Sequence, residues 1–116
     1  MYCSSTLALA ALETLVHIGE EGRTLAFISF EVNIPAAVRV DRLGKAPRSW
    51  REEPPGESSM RVGSNWLREQ RSVAFALPSI LAPGEFNVLL NPAHADFPRL
   101  KISRPKPFSF DPRMWK

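Results

Sequence analysis

The chain reads as an α+β domain. Three observations carry this: an apolar run with helical spacing near the N-terminus, five later runs rich in β-branched and aromatic residues, and eleven prolines that stand mostly at the edges of those runs. Short strands closed by prolines predict a strongly bent sheet.

Ser4, Ser5 or Thr6 can cap the first helix, and Leu7, Ala8, Ala11, Leu12 and Leu15 then fall near a 3.6-residue period. Gly19 is a natural terminator, followed by the polar turn EEGR. The helix is apolar around most of its circumference, which predicts burial on more than one side. TLAFISFEVNI, residues 24–34, reads as one strand ended by Pro35. Residues 41–61 carry three prolines and many charges and read as a loop, with a short turn at Trp50. GSNWLREQ, 63–70, is predicted as a short helix burying Trp66 and Leu67. SVAFAL (72–77), FNVLLN (86–91), LKIS (100–103) and PFSFD (107–111) read as strands, the first two closed by Pro78 and Pro92.

At 116 residues the chain supports one domain with a modest core. Its composition, 44% hydrophobic and 23% charged, is that of a globular protein, not a disordered one. No stretch approaches the roughly 18–20 apolar residues of a membrane span. A signal peptide is not expected, because the N-terminus lacks a basic region and Glu13 interrupts its apolar run. Cys3 is the one cysteine, which excludes an internal disulfide and fits a reducing, cytoplasmic setting. His17 and His94 lie at zinc-ligand spacing neither from each other nor from Cys3, so no metal is expected.

The net charge is +3, and in the last stretch Arg99, Lys101, Arg104, Lys106, Arg113 and Lys116 face only Asp111. Without interleaved stacking aromatics or a recognition-helix pattern, this reads as a solvated basic edge, not a nucleic-acid surface. FDPRMW at the end suggests a turn or an ion pair that pins the terminus, and Trp50, Trp66 and Trp115 read as packing residues.

Few residues suggest chemistry. Glu13 is a carboxylate on an apolar helix, and position alone leaves two readings open. It can pair with His17 one turn ahead, or it can stand at the wall of a cleft, orienting a ligand or stabilising developing positive charge. Ser79 follows a proline at a strand end, where a hydroxyl points into a cleft or caps a turn. No Gly-x-Ser-x-Gly elbow surrounds it. Asn91-Pro92 is a turn signal, and His94 beside it is a turn or site residue. The six glycines form no phosphate-binding loop.

In order along the chain, these segments resemble the RES domain, a family of toxin-like bacterial domains named for an arginine, a glutamate and a serine. YCSSTLALAALETLVH is similar to the family's Tyr-x-Ser stretch and Ala-Leu-Glu helix, with Glu13 as the glutamate. The strand ending in Ile34-Pro35, then Trp50 and GSNWL, follow in family order. LPSILAPGEFNVLLNPAH resembles the Pro-Ser segment, with Ser79 as the serine and Asn91-Pro92-x-His94 as an Asn-Pro-x-His box. FSFDPRMW is similar to the Asp-x-Arg ending. The resemblance covers essentially the whole chain, 1–116, as a single RES domain.

The resemblance implies an ADP-ribosyltransferase-like core, with a split, bent mixed sheet and few helices around an NAD cleft. It implies NAD as substrate and chemistry at the nicotinamide–ribose bond, either degrading NAD or transferring ADP-ribose. Glu13 and Ser79 become the expected catalytic residues, and Tyr2, Ser4, Asn91 and His94 the expected substrate-binding ones. The expected partner is a helix-turn-helix, Xre-type antitoxin. The family's upstream Gly-Gly-Arg-Trp-Asn segment has no match here: Met1 stands just before the tyrosine that follows it, and the first arginine, Arg23, comes after the helix. The expectation is therefore the C-terminal three quarters of a RES domain. It is either an NAD-consuming enzyme when the N-terminal segment is present or an inactive remnant that binds only the antitoxin.

Overall fold

The computed structural model describes residues 1–43 and 57–115. The strands are β1 (Tyr2–Ser4), β2 (Phe27–Ser29), β3 (Val32–Asn33), β4 (Val40–Arg42), β5 (Ala74–Pro78), β6 (Phe86–Leu90), β7 (Lys101–Ile102) and β8 (Lys106–Phe108). The helices are α1 (Leu7–Ile18) and α2 (Glu57–Glu69), with short 3-10 turns at Gly19–Arg23, Phe97–Arg99 and Pro112–Trp115. The main sheet runs β1-β6-β5-β4, with β4 parallel to β5 and the other pairs antiparallel. Two separate ladders, β2-β8 and β3-β7, complete the expected α+β architecture with a split, mixed sheet and few helices.

The expected signals set α1. Of its three candidate caps, Thr6 is the one used: its Oγ1 accepts from the Leu9 amide at 3.1 Å. Gly19 takes φ 65 at the other end, where its amide donates to the Leu15 carbonyl. Burial on several sides does not occur. Leu9 is the one fully buried residue of α1, while Leu7, Leu12 and Val16 are 57%, 40% and 62% exposed.

Three other expectations shift. The run 24–34 divides into β2 and β3, because its halves pair with different partners, β8 and β7. Between them, the Glu31 amide donates to Ser103 Oγ and the Ser103 amide donates back to the Glu31 carbonyl. The segment 41–61 holds more order than its charge suggests: β4 reaches Arg42, α2 begins at Glu57, and Trp50 lies outside the described residues. On α2, Trp66 is buried as expected but Leu67 is half exposed, since the buried stripe follows Val62 and Trp66 four residues apart.

The main sheet buries a core on each face. One holds Val38, Val73, Ala74, Leu90 and Leu100, with Cys3, Val40 and Val88 packed on them. The other holds Trp66, Phe75 and Leu77, with Leu43, Val62 and Leu89. At the second core, Trp66 Nε1 donates to Ser72 Oγ at 3.0 Å, and that hydroxyl lies 2.8 Å from both Asp41 Oδ2 and the Ala74 carbonyl. Burial pushes the Asp41 carboxyl up, but hydrogen bonds from Ser72 and Arg39, with the charges of Arg39 and Arg71, more than reverse this and hold it below its ordinary value. A depressed folded value means stability present above the unfolded pKa and lost as pH falls through the folded one. Urea midpoints should therefore fall on acidification below about pH 4, and Asp41→Asn should flatten that acid limb.

The C-terminus is pinned as expected. Arg113 grips Asp111 through both Nε and Nη2, and Trp115 stacks edge-on against Phe110 under Arg23. A Cβ on Gly22 would stand 3.3 Å from the Trp115 ring, so this turn passes close under the indole.

Candidate functional site

The N-terminal residues are held tightly to β6. The Met1 ammonium donates to the Leu90 carbonyl at 3.0 Å, the Leu90 amide donates to the Met1 carbonyl at 2.7 Å, and the Ser5 amide donates to the Phe86 carbonyl. The register pairs Tyr2 with Leu89 and Ser4 with Asn87. Because strand side chains alternate, Tyr2, Ser4, Asn87 and Leu89 share one face of the sheet, with Leu77 and Phe75 beside them on β5. Thr6 then turns the chain into α1, which brings Glu13 over the same face.

There the polar groups meet. Ser4 Oγ donates to Asn87 Oδ1 at 2.8 Å, and Asn87 Nδ2 donates to Glu13 Oε1 at 2.9 Å. A carboxylate only accepts, so the amide NH₂ must face Glu13 and its oxygen must face Ser4. Asn87 is 4% exposed and fully satisfied by these partners. Glu13 thus turns to the sheet, and among the described residues it makes no ion pair with His17.

Tyr2 completes the cluster. Burial and then the Glu13 charge push its phenol up to about 12, with the Asn87 amide working the other way. Tyr2 is the one tyrosine of the chain, so tyrosinate absorbance reports it alone. The midpoint is expected well above the ordinary value of about 10. Since the folded value is raised, this contribution to stability is complete below the unfolded pKa and is lost as pH rises through about 12. A midpoint at the free-tyrosine value would show that Glu13 and Tyr2 are not neighbours.

The other expected site residues lie elsewhere on the sheet. Ser79, 5% exposed, follows the Pro78–Phe86 pair at the Asn87 end; its Oγ accepts from the Ala82 amide at 3.1 Å. Asn91 and His94 lie past the other end of β6, where Asn91 is about 13 Å from Asn87 at the rise of a strand. Asn91 Oδ1 accepts from the Ala93 amide. His94 Nδ1 accepts from the Asp96 amide, so Nε2 carries the hydrogen and donates to the Gln70 carbonyl at 3.1 Å. That carbonyl belongs to a residue at φ 50, the left-handed turn that ends α2.

Asn87 was not legible as a site residue. The available signal was an amide inside the apolar strand run FNVLL, where a buried polar side chain is uncommon. A groove of about 470 Å³ lies on the opposite face against Ala76, Val88 and Phe86, with Arg42 over the Phe86 ring at 5.6 Å. Among the described residues no group of three or more His, Cys, Asp or Glu could hold a metal, and no helix is long and apolar enough to cross a membrane.

The model of the RES domain family matches residues 1–111. The chain belongs to the RES domain family. It is 37% identical over 118 residues to a Prs ADP-ribosylating toxin of Sphingobium sp. (strain YBL2), covering 98% of this chain and 73% of that protein. It is 36% identical to a Toxin Res of Yersinia enterocolitica, with 98% of this chain and 76% of the relative aligned. A Toxin Res of Photorhabdus laumondii is 30% identical, with 100% of this chain and 76% of the relative aligned. The match runs through both halves of the cluster, since Tyr2, Ser4, Glu13 and Asn87 all fall within the RES domain region.

Proposed function

We propose that this RES domain, a single domain over 1–116, binds NAD at the Tyr2–Glu13–Asn87 cluster and acts on its nicotinamide–ribose bond, degrading NAD or transferring ADP-ribose. The observation that carries the reading is a carboxylate anchored by a buried amide beside a phenol, in a chain similar to a Prs ADP-ribosylating toxin. Nicotinamide leaves with the bonding electron pair and the ribose carbon becomes oxocarbenium-like. The Glu13 charge stabilises that cation, and water or another nucleophile then forms the new bond.

In this reading Tyr2 packs against the nicotinamide ribose, and Ser79 uses its own O–H hydrogen, which the Ala82 contact leaves available, to bind the ligand. Ser4 acts through Asn87. Asn91 and His94 shape the turn that follows β6 and tie it to the end of α2. The setting is cytoplasmic and the partner a helix-turn-helix, Xre-type antitoxin. Relatives carrying the name Toxin Res support the toxin role.

The test is incubation of the purified chain with NAD, following free nicotinamide by chromatography and ADP-ribose on added proteins by mass. Nicotinamide release that depends on Glu13 supports the reading; absence of both release and calorimetric NAD binding refutes it. A second reading, a non-catalytic module that only occupies the antitoxin, is favoured by the exposed Leu7, Leu12 and Val16 of α1. Antitoxin capture by a chain that neither binds nor consumes NAD would establish it.

A further inference from the structure

Resting on the reading above, we propose that Asn87 is the positioning residue of the site, fixing the Glu13 carboxylate by one oxygen so that the other faces the ligand beside Tyr2. Glu13 reaches the site on a side chain with three rotatable torsions, from a helix that buries little of itself. Without a fixed partner such a carboxylate samples several rotamers. Asn87 supplies the partner from β6, which is paired on both sides, by β1 and β5, and so cannot shift easily.

The surroundings argue that the amide is there for this purpose. Its cross-strand neighbour is Leu77, and Phe75 and Leu89 occupy the same face. Leucine would fill that position with no polar group to satisfy, whereas a buried amide is tolerated only when both its ends are bonded. Both ends are bonded, and one bond goes to the expected catalytic carboxylate. Ser4 donates to the amide oxygen, which fixes the amide plane and hence the direction of the NH₂. The relay is Ser4, Asn87, Glu13.

The experiment is a double-mutant cycle read at Tyr2 by tyrosinate absorbance, with NAD turnover measured alongside. Glu13→Gln removes the neighbouring charge and is expected to lower the Tyr2 midpoint in the parent chain. In an Asn87→Leu background, where the carboxylate is released, the same change should lower it by less than about half as much. Turnover of NAD by Asn87→Leu should fall in kcat by about 10²-fold, with KM little moved. An equal drop in both backgrounds, or no drop in the parent, overturns the proposal. If Asn87→Leu does not fold, Asn87→Asp sets a second carboxylate against Glu13. Its lost thermal stability should return on adding Glu13→Gln, which restores one donor and one acceptor, and failure to return overturns the proposal. A parent chain that leaves NAD untouched refutes the proposed function, while the absorbance cycle still decides whether Asn87 holds Glu13.

Discussion

Trp66→Ala is expected to cost about 3–5 kcal/mol of folding stability and to lower the melting temperature by roughly 10–20 °C. Trp66 is 2% exposed, and its ring lies 5.5 Å from that of Phe75, against Leu77, Val62 and Leu89. Truncation removes the largest side chain of a small core, and the strands beneath it are held by ladder bonds that limit collapse into the space. A domain of this size has only about 5–15 kcal/mol in total, so the loss is a large fraction. Ser72→Ala separates the polar part from the apolar part. It keeps the packing but strands the indole N–H in a buried place, for about 1–3 kcal/mol. Denaturant unfolding of both variants checks this. A Trp66→Ala loss below that of Ser72→Ala would mean that the second core is not close-packed.

Glu13→Gln is expected to lower NAD consumption by about 10²–10³-fold, the usual effect of removing one preorganised group that meets transition-state charge. Glutamine keeps the shape but loses the negative charge, so binding of NAD should change much less than turnover. His17→Ala is the matched control, one helical turn away on the same helix, and should leave turnover intact. Single-turnover nicotinamide release measures both. Equal activity of Glu13→Gln and the parent chain would remove Glu13 from the chemistry.

How far the sequence reaches depends on the range of each interaction. The helix over α1 was legible because its signals are local: Thr6 three residues before Leu9, Gly19 directly after Ile18. Strands β5 and β6 were legible from their apolar runs. Strand β4 was not, because Asp41 and Arg42 look like loop residues until Ser72 and Arg39 are seen to hold Asp41. The exposure of α1 was also missed, since an Ala- and Leu-rich run shows a helix but not what lies beside it. In the candidate site, Glu13, Tyr2 and Ser4 follow from the family resemblance, and the structure places them together. Asn87, which links Ser4 to Glu13, is separated from them by 83 and 74 residues, and nothing local announces such a contact.

The pairing of β1 with β6 also governs the order of events during synthesis. Strand β1 emerges well before β6, the strand it bonds. Until then its amides and carbonyls have no ladder partner, and α1 has no sheet to lie on. Contacts this distant in the chain close slowly and late. A ribosome partway through the message therefore carries Tyr2, Ser4 and Glu13 as unconnected groups, and they become one hydrogen-bonded cluster only once Asn87 has emerged and β6 has docked.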